Sequence, residues 1–220
     1  MMPMKNDREY RAFNLQKRAK DEGDNEPSFL VEGYASTFEE YQLYEDADMI
    51  FRERIEPTAF DDADMSDVVF LLDHTGRVYA RTKNDTVKLT VDDKGLFTQT
   101  DLSKTSASRA VYEDIEAGNY SQMSFAFTVA ADRYEESRAE GEKTVYTRII
   151  DRIKKVYDVS AVGFPANPTT DIGVATRAAF DGAIEKLTAE RLDEARRANE
   201  QARQRAIAKI KLMEASENDT

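Results

Sequence analysis

Ser124 and His74 are the side chains in this sequence whose types and placement suit nucleophilic chemistry. Ser124 lies in "NYSQMSFAFTVA" (119–130), where Met123, Phe125 and Phe127 alternate onto one face of a strand and Ser124 and Ala126 onto the other. A solvated strand face explains such a hydroxyl as readily as catalysis does. A strand is nonetheless a rigid mount, and a nucleophile displaced by about 1 Å loses on the order of a hundredfold in rate. His74 lies in "LLDHTGRVYART", where the apolar run "DVVFLLD" (67–73) ends and a glycine-containing turn begins. An imidazole so placed has a fixed backbone and a reachable ring. It can take a hydroxyl proton and return it to a leaving amine. With no cysteine and a single histidine, thiolate nucleophiles, zinc–thiolate sites and multi-histidine metal centres are excluded. A hydrolase built on this chain uses Ser, Thr or carboxylates.

A base of this kind needs a partner that fixes its tautomer. The chain has 43 Asp and Glu residues, so spacing alone does not choose one. Asp73 is adjacent to His74, but neighbouring strand residues point to opposite faces. Asp158, in "VYDVSAVGF", sits inside an apolar, β-branched stretch where an unpaired carboxylate is costly. Such an acid wants a fixed donor. An imidazole N–H, an arginine or backbone N–H groups all serve.

The elements that must hold these groups are mostly strands. "SFLVEGYASTF" (28–38) is expected to be a strand with a bulge or kink at Gly33, and "DVVFLLD" a strand covered on both faces. "TVKLTV" (86–91), the turn Asp92-Asp93-Lys94-Gly95 and "LFTQTDL" predict a hairpin over 86–102. "TSASRAVYEDIEAGNY" predicts a helix capped by Thr105 or Ser106, with Ala107, Val111 and Ile115 on one face and Gly118 as its stop. "EKTVYTRIIDRIKKVYDVSAV" returns to strand character, and "FPANP" (164–168) ends it. Together they predict a mainly β, α+β domain, closed or nearly closed into a barrel with flanking helices. From about 181 the chain turns rich in Ala, Glu, Arg and Lys. Ile184, Leu187, Leu192, Ala195, Ala198, Ala202, Ala206, Ile210 and Met213 recur at spacings near three and four. That pattern predicts a long C-terminal amphipathic helix, either a solvated tail or a partner-binding segment. The domain organisation expected is 1–178 and 179–220.

Composition narrows the function classes. With 220 residues and 40% hydrophobic side chains, the chain can bury one good core plus an appendage. A formal charge of −12 argues against nucleic-acid binding, which needs a basic surface. No apolar run approaches the roughly twenty residues that span a bilayer, and the opening "MMPMKNDREY" has no signal-peptide core. The expectation is therefore no nucleic acid, no membrane and no secretion.

Six stretches, in order, give the chain a family likeness: "VEGYASTF", "FRERIEPTAF", "LLDHTGRVYART", "DDKGLFTQTDL", "ASRAVYEDIEAGNYSQMSFAF" and "VYDVSAVGFPANPTT". The sequence resembles the prohead proteases of tailed phages, capsid-maturation serine peptidases related to the herpesvirus assemblins, from about Arg8 to Ala178. The resemblance implies an assemblin-like β-barrel, with Ser124 as nucleophile, His74 as general base and Asp158 as the third member. It implies no cofactor. It implies as partners the major capsid protein precursor with its scaffolding region and the chain itself, inside the procapsid in the host cytoplasm. The C-terminal helix would be an incorporation or scaffolding-like segment, removed by self-cleavage around 176–182. Ala126 stands where the family commonly has Gly, and the acid is the shorter Asp. Two other readings compete: a silent protease-fold scaffold that binds capsid subunits through its C-terminal helix, and an unrelated acidic barrel that binds a small ligand.

Overall fold

Two long strands organise the molecule. The structure, a computed structural model, describes residues 8–16, 29–45, 47–138 and 143–163, together with helical positions between 182 and 205. Strand β1 (Glu9–Gln16) is followed by β2 (Leu30–Thr37), β3 (Tyr41–Glu45), β4 (Met49–Ile55), β5 (Val69–Leu72), β6 (Thr75–Arg81), β7 (Val87–Val91) and β8 (Gly95–Asp101). Then come helix α1 (Ser106–Ala117), β9 (Gln122–Arg138) and β10 (Thr144–Val162). All ten strands join one sheet in the order β3-β4-β10-β9-β1-β2-β8-β7, with β5 also on β10 and β6 on β5.

The sequence leads to the expectation of a closed or nearly closed barrel; no closed barrel is seen, since β3 and β7 end the pairing path without meeting among the described residues. The reason lies in β10. Its register against β9 shifts four times between Ile150 and Asp158, and bulges of this kind bend and twist a strand. The edge of β10 away from β9 therefore takes two short parallel partners in succession, β4 along residues 144–150 and β5 along 158–161. A barrel needs one consistent stagger around all its strands. The flanking helices also reduce to α1 and two short 3-10 turns among the described residues of this part.

The local readings fare better. Thr105 is the cap of α1, its side chain accepting from the Ser108 N–H at 3.0 Å, and Gly118 ends the helix with φ 88°. Val111 and Ile115 enter the core while Ser108 Oγ donates to the Tyr79 carbonyl at 2.8 Å, tying the helix to β6. The 86–102 hairpin forms as β7 and β8, with the Asp92 carboxylate accepting from the N–H groups of Lys94 and Gly95. The bulge in β2 falls at Ala35 rather than Gly33, between the pairs Tyr34–Phe97 and Ser36–Leu96. Glycine is needed instead at Gly95, where a Cβ would lie 2.1 Å from the Ser36 carbonyl oxygen. Strand β5 is only half covered: Phe70 is buried, whereas Val69, Leu71 and Leu72 are partly exposed.

One cluster was not foreseen. Glu53 on β4 is completely buried and accepts from Arg11 Nε at 2.6 Å, from Arg148 at 3.1 Å and from the Tyr41 hydroxyl. Glu9 joins by binding both arginines. Burial alone would push the Glu53 carboxyl up, but the charge and hydrogen bonds of Arg11, with Arg148 and Tyr41, hold it below the ordinary carboxylate range. Glu53 therefore contributes stability that is present above its ordinary pKa near 4.5 and is lost as pH falls through its lower folded value. Replacing Glu53 by Ala removes the buried acid that Arg11 and Arg148 share and leaves Glu9 as the partner common to both. The expected loss is about 3–5 kcal/mol, read as a fall in the urea midpoint at pH 7.

The chain divides into two units, Met1–Asp171 and Ile172–Thr220, each described by itself. In the second, helical positions run unbroken from 195 to 205 and their side chains are exposed, with Arg197 on Asp193 at 3.2 Å. The single long helix expected there is not established, and residues 206–220, like "FPANP", lie outside the described residues. No helix among the described residues is long and apolar enough to cross a membrane.

Candidate functional site

Ser124 lies on β9 between Ala12 of β1 and Ser160 of β10, and its residue is 1% exposed. Its alternate neighbours fix the strand from the other face: Met123, Phe125 and Phe127 are fully buried, and the two phenyl rings stack at 4.4 Å. Burial of each such side chain stabilises by about 1.5–3 kcal/mol, so the backbone under Ser124 is held firmly. Two residues along β9, Ala126 pairs with Tyr10 on one side and with Asp158 on the other. Directly paired residues share a sheet face. One face of β1, β9 and β10 thus carries two adjacent rows, Ala12–Ser124–Ser160 and Tyr10–Ala126–Asp158.

His74 reaches this face from a turn. Asp73 and His74 are the two central residues between the paired Leu72 and Thr75, with φ 46° and 57°. Positive φ at both positions is the two-residue hairpin geometry that normally selects Gly, Asn or Asp, so a histidine there is held at a cost of order 1–3 kcal/mol. The hold comes from Asp73. Its N–H donates to the Ala161 carbonyl at 3.0 Å and its carboxylate accepts from the Gly163 N–H at 3.2 Å, pinning the turn to the end of β10. Asp73 is therefore occupied with the backbone, and it is Asp158 that meets the imidazole.

The contacts of the ring define a relay. His74 Nδ1 lies 2.6 Å from Asp158 Oδ1, and Nε2 lies 2.7 Å from Ser124 Oγ. A carboxylate only accepts, so Nδ1 carries the proton; in the neutral ring Nε2 is then the acceptor and the Ser124 hydroxyl donates to it. Asp158 is 2% exposed, whereas the His74 side chain is 16% exposed and is the reachable member. Tyr10 meets the imidazole edge-on, with ring centroids 4.5 Å apart. These contacts place the ring above Ala126. The sequence signals the three polar members one by one. Tyr10 and Ser160 carried no signal, because only the register of β1 and β10 against β9 brings them in.

The family comparison bears directly on this stretch. A family model described as caudovirus prohead serine protease matches residues 13–182. The chain belongs to that family. No curated protein and no solved structure matches it. In this prohead protease chain the matched region contains all three members of the relay, while Tyr10 lies just before it.

Ala126 gives a direct test of the geometry. A branched side chain there would fill the space between Tyr10 and Asp158 that the imidazole occupies. Ala126→Val is expected to slow covalent labelling of Ser124 by a fluorophosphonate about a hundredfold. Overpacking should cost about 1–3 kcal/mol in a melt of the same variant.

Proposed function

We propose that this prohead protease is an active serine endopeptidase that acylates on Ser124. The Ser124 oxygen attacks the scissile carbonyl as its proton passes to His74 Nε2. The imidazolium is held by the Asp158 carboxylate and gives that proton to the departing amine. Water then attacks the acyl ester, losing a proton to the same nitrogen, which passes it to the Ser124 oxygen as the ester bond breaks; the carboxylic acid product leaves and the free hydroxyl is restored. The observation that carries the reading is the pair of contacts at 2.6 and 2.7 Å, which links a carboxylate, an imidazole and a hydroxyl in the order this chemistry requires.

Membership of the prohead protease family supports capsid precursors as substrates. The finer reading is that the enzyme cuts the scaffolding region of the major capsid protein precursor, and itself, within the procapsid. Residues 179–220 would be an incorporation or scaffolding-like segment, detached around 176–182. A fluorophosphonate should label the purified chain at Ser124, located by peptide mass, and His74→Ala should abolish the adduct. Absence of any adduct in the wild-type chain, with binding to capsid precursor intact, would make it a non-catalytic capsid-binding member instead.

A further inference from the structure

The Asp158 carboxylate has a second donor. Ser160 Oγ donates to Asp158 Oδ1 at 2.7 Å, and this is the oxygen that also accepts from His74 Nδ1. Ser160 is 0% exposed, so its hydroxyl is withdrawn from bulk water. The two residues are two apart on β10 and therefore share a face by the period of a strand. The direct cross-strand partner of Ser160 is Ser124 itself, whose Cβ such pairing brings within about 5 Å. A hydroxyl directed there would compete for the Ser124 oxygen. Directed along the strand to Asp158, it leaves the Ser124–His74 contact alone.

The physical need is orientation. The terminal torsion of an Asp side chain is broad, so packing alone fixes the carboxylate plane poorly. A second hydrogen bond to Oδ1 removes that freedom. We propose that Ser160 is a positioning residue for the relay. Its hydroxyl holds Oδ1 toward His74 Nδ1 and so maintains the tautomer that accepts from Ser124. This rests on the peptidase reading above and adds a fourth side chain to it.

The test uses the full chain and the fact that His74 is its only histidine, so every imidazole proton signal belongs to one ring. In Ser160→Ala, the Nδ1 proton resonance of His74 should broaden through exchange with water. The limiting rate of fluorophosphonate labelling should fall about tenfold to a hundredfold while the half-saturating concentration stays the same. Ser160→Thr, which keeps the hydroxyl, should restore most of both. If the added methyl is refused and that variant melts early, Ser160→Ala against wild type still decides. An Nδ1 proton as sharp in Ser160→Ala as in wild type would overturn the proposal. So would a rate loss that lies wholly in the half-saturating concentration. The spectrum needs no turnover, so a wild-type chain that takes no label would overturn the peptidase reading while the resonance still judged Ser160.

Discussion

Co-expressed with its capsid precursor in assembling shells, the Ser124→Ala chain is expected to leave both the precursor and itself at full mass. Removal of a serine nucleophile costs on the order of 10⁶ in rate in enzymes of this chemistry. Ser124 is 1% exposed on a strand paired on both sides, and the change deletes one oxygen without opening a sizeable cavity. The melting temperature should therefore stay near that of the wild type, and a lost cut is a lost reaction rather than a lost fold. Trimming of the variant at the wild-type rate would mean that another protease, or another side chain, makes the cut.

Asp158→Asn should come next in size, with a rate loss of about 10⁴. The amide has the shape of the carboxylate, yet it can present an N–H₂ group to the ring. His74 would then accept at Nδ1 and carry its proton on Nε2, where it points at Ser124 and blocks the transfer. Stability should move the other way or stay level, because a charge that is 2% exposed is removed from a low-dielectric site. Labelling rate and urea midpoint measured on one preparation separate the two effects. A variant that retains the wild-type labelling rate would show that Asp158 does not set the tautomer.

What could be read from the sequence was what local pattern encodes. The alternation around Ser124, the strand character that runs through β10, the Thr105 cap with its Gly118 stop, and the hairpin closed by Asp92 all depend on neighbours within a few positions. His74 was placed at a strand end, but its turn is centred on Asp73 and His74 themselves rather than on Gly76, whose presence drew attention two residues too far. Glu53 sits in "FRERIEPTAF" on the strand face it shares with the buried Phe51 and Ile55, and nothing near it in sequence announces its arginine partners, which come from positions 11 and 148. That no closed barrel is seen among the described residues has a related cause. No local pattern reveals that β10 exchanges β4 for β5 halfway along its edge.

Strand β1 ties two ends of the molecule's behaviour together. The same eight-residue ribbon carries Arg11, which neutralises the sunken Glu53, and Tyr10, which leans on the imidazole from the reverse side. Because β1 joins β9 to β2, parting it from β9 withdraws Tyr10 from the imidazole and divides the sheet between β9 and the β2-β8-β7 side in one step.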